Sequence, residues 1–70
     1  LTMSMVYEVV KGVPMTEQFR QLEVGDMLLV PAALSANANT YANRLGFQWG
    51  RKFTTHINRE DGIFEITRTL

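Results

Sequence analysis

Residues 53–68 read FTTHINREDGIFEITR and have the pattern of a β-hairpin. From Phe53 to Asn58, every second residue is polar, which is typical of a strand with one face toward a core. Residues 59–62 supply the turn, because Asp-Gly is one of the strongest short-range hairpin signals. Residues 63–69 form the return strand. The last part of the chain therefore predicts two antiparallel strands.

The segment before the hairpin has the spacing of an amphipathic helix, with Ser35 as the expected N-cap. Its apolar stripe consists of Ala38, Tyr41, Ala42, Leu45 and Trp49. Two ends are compatible with this pattern. If the helix runs to Gly50, a good residue for a C-terminal cap, Phe47 points to the polar side. If it ends at Gly46, Phe47 belongs to the core.

The first half of the chain predicts two further strands. Residues 6–10 are β-branched and aromatic. Residues 15–22 are polar and indicate a loop or short turn, with Phe19 and Leu22 anchored in the core. The apolar run 27–30 is typical of a central strand that is buried on both faces.

These elements predict a small α+β domain of β-β-α-β-β order, with one antiparallel or mixed sheet and a single helix packed on one face. The single domain is expected over residues 6–70. Residues 1–5 are expected to be either disordered or not part of the native protein.

Composition excludes several classes of protein. The chain has 70 residues and is 46% hydrophobic, which is too apolar for a disordered protein. It has no cysteine and one histidine, His56, so we expect no disulfide, no metal site and no cofactor. No constellation for nucleophilic catalysis is present, and we expect the protein not to be an enzyme. The burial of a single small core only narrowly offsets the conformational entropy that the chain loses on folding. The protein is therefore either a well-packed monomer or a homodimer.

The sequence has no apolar run near the ~18 residues of a membrane span and no signal-peptide pattern. We therefore expect a cytoplasmic protein without a membrane partner.

The net charge of zero hides a polarised chain, since residues 1–40 carry −2 and residues 41–70 carry +2. Basic residues near the helix end complement the helix dipole or contact phosphates, and both interpretations stay open. The candidate nucleic-acid contacts are Arg44, Arg51, Lys52, Thr54, His56 and Arg59.

The polar side of the helix is rich in asparagine, a poor helix former. Asparagine and arginine are side chains that read adenine and guanine edges. An exposed Phe47 would suit base stacking or a protein partner. The candidate partner contacts are Asn37, Thr40, Asn43 and Phe47.

Several short segments resemble a group of short, mostly phage-encoded proteins, most of them uncharacterised. The similar segments are YEVVKGVP (7–14), LEVGD (22–26), VP (30–31) and GRKFTT (50–55). The resemblance implies a small phage or mobile-element protein that acts in the bacterial cytoplasm, and it carries over Arg51 and Lys52 as candidate contacts. This chain has His56 where the group often has a basic residue.

The leading hypothesis is a small phage-type protein that binds nucleic acid, preferentially DNA, in an accessory or regulatory role. It would contact phosphates through the basic helix end and the C-terminal hairpin. The alternative is an interaction module that inhibits or modulates a host protein or defence complex.

Overall fold

The computed structural model describes residues 4–70, in which a four-stranded sheet carries two helices on one face. The elements are β1 (Val6–Glu8), α1 (Met15–Arg20), β2 (Met27–Pro31), a 3₁₀ turn (Ala32–Leu34), α2 (Ser35–Trp49), β3 (Phe53–Asn58) and β4 (Ile63–Arg68). The strand order is β1-β2-β4-β3; β1 is parallel to β2, and the other two pairings are antiparallel. The predicted α+β class with a mixed sheet is confirmed.

The C-terminal hairpin has the predicted strands and turn. β3 and β4 pair from Phe53 opposite Arg68 to Asn58 opposite Ile63. Gly62 closes the turn with a φ of 65°, a left-handed conformation that favours glycine.

The core lies between the helices and one face of the sheet. Leu28 and Val30 of β2 lie opposite Ile66 and Phe64 of β4, so all four side chains point to the same face. The helices add Phe19, Ala38, Ala42 and Leu45 to this core, and the α1–β2 connection adds Leu22. The predicted burial of Phe19 and Leu22 is confirmed.

The strand β2 is central, as predicted, but the prediction that it is buried on both faces was wrong. Met27 and Leu29 point away from the helices and are half-buried. The reason is that both helices contribute to the single core on the other face.

Residues 15–20 form helix α1, so the prediction of a loop here was wrong. The amide of buried Gln18 holds this helix against the preceding turn. Its Oε1 accepts from the Val10 N–H at 2.8 Å, and its Nε2 donates to the Val13 carbonyl at 3.0 Å. A tertiary anchor therefore stabilises a helix that is too short to show its periodicity.

Of the two predicted ends of helix α2, Gly46 and Gly50, the structure has the second. It runs to Trp49, and Gly50 follows in the left-handed conformation. The Arg51 N–H donates to the Gly46 carbonyl at 2.9 Å. The predicted N-cap was wrong: Leu34 precedes the first helical residue, Ser35, because a 3₁₀ turn leads directly into α2.

The start of the described chain is held by a buried carboxylate. Asp26 accepts from the Met5 N–H at 2.9 Å and from the Glu23 N–H at 3.0 Å. These two hydrogen bonds, the first above all, lower the pKa of Asp26, and Arg68 lowers it further, against the effect of burial. Met5 is thus tied into the fold, and residues 1–3 of the expected disordered start lie outside the described residues.

Within residues 4–70, no helix is long and apolar enough to cross a membrane.

Candidate functional site

A groove of about 250 Å³ opens between the last turns of α2 and the start of β3. It is lined by Ala42, Asn43, Gly46, Phe47, Arg51, Lys52, Phe53, Thr54 and Thr69. This set joins three of the predicted nucleic-acid contacts with two of the predicted partner contacts. Local geometry explains the groove, because the left-handed turn at Gly50 folds the chain back beside α2.

A glycine allows the close approach of the two walls. A Cβ built on Gly46 would lie 3.0 Å from the Arg51 carbonyl oxygen and 3.6 Å from the Phe53 ring. Gly46 is therefore a packing residue inside α2, in addition to its role as the acceptor that ends the helix.

Phe47 is the most exposed large apolar residue in residues 4–70, with 93% of its surface accessible. It lies on α2 opposite the stripe of buried residues, as the periodicity of a helix that ends at Gly50 requires. Its ring is thus presented to solvent at the mouth of the groove.

The basic side chains beside the groove are not neutralised by carboxylates. The ion pair found within residues 4–70 is Arg20–Glu17, at 2.6 Å. Lys52 is exposed, and its backbone is fixed because its carbonyl accepts from the Thr69 N–H at 2.7 Å. The Lys52 side chain is therefore exposed and forms no ion pair within residues 4–70, so it is available to an anion.

Arg51 is positioned by an aromatic ring. Its guanidinium lies 5.1 Å from the centre of the Trp49 ring, and Arg20 lies 5.6 Å from the same ring. Arg51 also donates to the Arg20 carbonyl at 3.4 Å. Arg20 is neutralised by its ion pair with Glu17, whereas Arg51 forms no ion pair within residues 4–70 and keeps its positive charge against the ring.

The structure places the other predicted nucleic-acid residues away from the groove. Arg44 lies over the Tyr41 ring at 4.7 Å and does not line the groove. His56 lies on the helix-free face of the sheet, opposite Glu65. Arg59 is in the hairpin turn, at the far end of the six-residue strand β3 from Lys52, or about 20 Å away at 3.3 Å per residue.

The predicted partner residues share the exposed face of α2 but are spread along it. Asn37 and Thr40 lie in the first half of the helix, and the Thr40 hydroxyl donates to the Ala36 carbonyl. Asn37 is ten residues from Phe47, a distance of about 15 Å along a helix. Asn43 and Phe47 line the groove, and the first two do not.

Sequence reasoning missed Thr69 and Arg20, whereas Trp49 packs against the core as its place in the apolar stripe predicted. The register of the hairpin places Thr69 opposite Lys52, so a careful count from the turn would have found it. Arg20 gave no sequence signal, since α1 was expected to be a loop. Within residues 4–70, no group of three His, Cys, Asp or Glu side chains is placed to hold a metal ion.

Comparison of the chain with family models, curated proteins and solved structures found no match.

Proposed function

We propose that this protein binds single-stranded nucleic acid, preferentially DNA, in the groove between α2 and β3. The observation that carries the proposal is the exposed Phe47 ring beside the cations Arg51 and Lys52 in one groove. Proteins that bind single strands combine an aromatic platform with a positive channel for the backbone. The protein would then act as a small accessory or regulatory factor.

Four of the lining residues have roles that their chemistry supports. A base stacks on Phe47, while Lys52 and Arg51 contact the adjoining phosphates. Asn43 lies one helical turn before Phe47 and offers an amide to a base edge. The Thr54 hydroxyl donates to the Thr67 carbonyl at 3.4 Å, and its side chain, like that of His56, points to the helix-free face of the sheet.

A single strand fits this surface better than a duplex. Stacking on Phe47 requires a base that has left its own stack, which costs free energy in a duplex but little in a single strand. The cations that a duplex contact along the hairpin would use, Lys52 and Arg59, are about 20 Å apart. The positive charge of the neighbouring residues Arg51 and Lys52 is more concentrated than that of the separated pair Lys52 and Arg59.

The test is a fluorescence anisotropy titration with a labelled oligothymidine and a duplex of equal length, at low and moderate salt. We expect micromolar binding to the single strand, weaker binding to the duplex, and a loss of affinity with salt. Phe47→Ala should weaken binding about 5- to 150-fold, the equivalent of about 1–3 kcal/mol for one stacked base.

A matched pair of charge reversals separates local contact from net charge. Lys52→Glu and Lys11→Glu change the net charge equally, but Lys11 lies in the turn after β1, outside the groove. We expect Lys52→Glu to abolish binding and to flatten its salt dependence, and Lys11→Glu to have a small effect. Equal effects of the two reversals, or binding indifferent to Phe47→Ala, would contradict the proposal.

A protein partner is the second candidate, and the exposed face of α2 favours it. Asn37, Thr40 and Asn43 are uncharged, and they lead along the helix to Phe47. Aromatic residues are enriched in the core of protein interfaces, and polar residues form the rim around it. The partner would be a host protein or defence complex that this chain inhibits or modulates.

The two candidates are separated by a pull-down from nuclease-treated bacterial lysate. A stoichiometric protein that is retained by the wild type and lost with Phe47→Ala would support the second candidate. Loss of all bound material on nuclease treatment would support the first.

A further inference from the structure

We infer that the outer edge of β3 is a self-association surface, at which a second copy of this chain adds its own β3 in antiparallel orientation. This inference goes beyond the proposed function and does not depend on it. Its product is a two-fold symmetric dimer with one continuous eight-stranded sheet.

The edge of β3 lacks the features that usually protect an edge strand. β3 ends the sheet, so in residues 4–70 no strand pairs with its outer side. It spans six residues, Phe53–Asn58, with no proline, lysine, arginine or carboxylate. Natural edges are normally blocked by charge, proline or short length. The opposite edge strand, β1, is blocked in this way, because it has three residues and carries Glu8.

The hydrogen-bond pattern shows which groups are free at this edge. The Lys52 carbonyl accepts from the N–H of Thr69, the residue directly after β4. In an antiparallel pair, hydrogen-bonded and non-hydrogen-bonded positions alternate along each strand. Thr54 and His56 therefore direct their backbone groups to β4. Phe53, Thr55 and Ile57 direct theirs outward.

One pairing uses all three outward residues and satisfies two-fold symmetry. With the axis at Thr55, Thr55 pairs with the partner's Thr55, and Phe53 pairs with the partner's Ile57. All three outward pairs are then of the hydrogen-bonded type, which gives six backbone hydrogen bonds. The half-buried Phe53 covers the partner's Ile57, which is 44% exposed in the single chain.

Charge complementarity favours a second copy over an unrelated strand. Antiparallel pairing brings Arg51 and Lys52, before β3, to the partner's hairpin turn after β3. That turn carries Glu60 and Asp61, which form no ion pair within residues 4–70. In this register Arg51 lies directly opposite the partner's Arg59, which reduces the attraction, and Lys52 lies opposite the uncharged Asn58 of the partner subunit; the turn as a whole retains a net charge of −1.

The dimer would place both grooves on the same side of the sheet. Directly opposed residues share a face, so both α2 helices lie on one side. Phe53 and the partner's Phe53 are offset by four residues, or about 13 Å along the strands.

Sedimentation equilibrium over a concentration series tests the dimer. We expect the wild type to approach twice the chain mass of 8.0 kDa. Thr55→Pro removes an outward N–H without removing a bond to β4, and Ile57→Lys adds a charge to the edge. Both variants should be monomers with unchanged circular dichroism; if Thr55→Pro fails to fold, Ile57→Lys carries the test. Val6→Lys, on the other edge strand, is the control that should stay dimeric.

A charge swap tests the orientation of the two strands. Lys52→Glu and Glu60→Lys chains should each dimerise at least several-fold more weakly than the wild type, because each homodimer opposes like charges. Mixed in equal amounts, they should form a heterodimer in which both contacts are complementary.

A wild type that remains a monomer at millimolar concentration would overturn the inference. So would folded Thr55→Pro and Ile57→Lys variants that remain dimers, or a mixture of the two charge variants that does not heterodimerise. Phe47→Ala should leave the dimer intact, so a failure of nucleic-acid binding is distinguishable from a failure of the dimer.

Discussion

Phe19 and Phe47 are the same side chain on two helices that cover the same face of the sheet, and they differ completely in environment. Phe19 is fully buried, with its ring edge-to-face against Phe53 at a centroid distance of 5.2 Å. Phe47 is 93% exposed. The difference arises because Phe19 is on the core-facing side of α1, whereas Phe47 is on the outer side of α2.

The comparison shows how a small domain separates stability from recognition. The helix α1 has six residues and depends on the burial of Phe19 and on the hydrogen bonds of Gln18. The helix α2 has fifteen residues and an apolar stripe of its own. It can therefore carry an exposed aromatic ring. Three substitutions on these helices test this division, and a fourth, at Asp26, tests the hydrogen bonds that hold Met5.

Phe19→Ala should have the largest effect on stability. Truncation of a buried phenylalanine costs about 3–5 kcal/mol, because burial is lost and a cavity remains. A domain of this size has a total stability of about 4–10 kcal/mol, so the variant should be partly unfolded at 37 °C. Urea denaturation followed by circular dichroism measures the loss. A loss below about 1 kcal/mol would show that α1 is not essential to the core.

Asp26→Asn should lower the melting temperature at pH 7 by less than Phe19→Ala. The Asp26 pKa is lowered in the folded state from its ordinary value of 3.8. Its carboxylate therefore stabilises the fold above that pH, and this contribution is lost as the pH falls through the lowered pKa. The gap between wild type and variant should close on acidification from pH 4 to pH 2.

Melting curves from pH 7 to pH 2 measure this gap. Glu23→Gln is the control, since Glu23 is exposed and contributes its backbone N–H, not its side chain, to Asp26. A gap that is constant with pH would contradict the role given to the charge.

Gly46→Ala should destabilise the fold by about 1 kcal/mol. Alanine gains about 1 kcal/mol in helix propensity, but crowding in a packed site costs about 1–3 kcal/mol. The crowded neighbour is a backbone atom, the Arg51 carbonyl oxygen at 3.0 Å, which is held by the end of the helix. Asn43→Ala, on the exposed face one turn earlier, should be neutral or stabilising. A stabilised Gly46→Ala would show that the two walls of the groove can separate freely.

Phe47→Ala should have the smallest effect on stability, within about 0.5 kcal/mol, because its ring buries almost no surface. The same denaturation experiment measures it. A loss comparable to that of Phe19→Ala would mean that Phe47 is part of the core and would remove the basis of the proposed function. An unchanged stability with lost binding would sharpen the contrast between the two phenylalanines.

Local patterns were sufficient for the elements that carry their own signal. The Asp61-Gly62 turn and the flanking alternation predicted β3 and β4, and the register follows from that turn. The stripe from Ala38 to Trp49 predicted α2, whichever glycine ended it.

Local patterns failed where a contact distant in sequence determines the conformation. The segment 15–20 is helical because of Gln18 and Phe19, whose partners lie in the turn after β1 and on β3. The exposure of the outer face of β2 follows from where the helices pack. The groove likewise depends on the approach of Gly46 to Arg51, which no spacing rule encodes.

The amino-acid sequence by itself determined the hairpin, the main helix, the central strand and the polarity of charge, because periodicity and turn chemistry act over a few neighbouring residues. Only the tertiary structure decided that Phe47 is exposed, that Arg51 and Lys52 join Asn43 in one groove, and that β3 forms an open edge. Those outcomes depend on how the helix end, the sheet order and the core pack together, and such contacts join residues that are far apart along the chain.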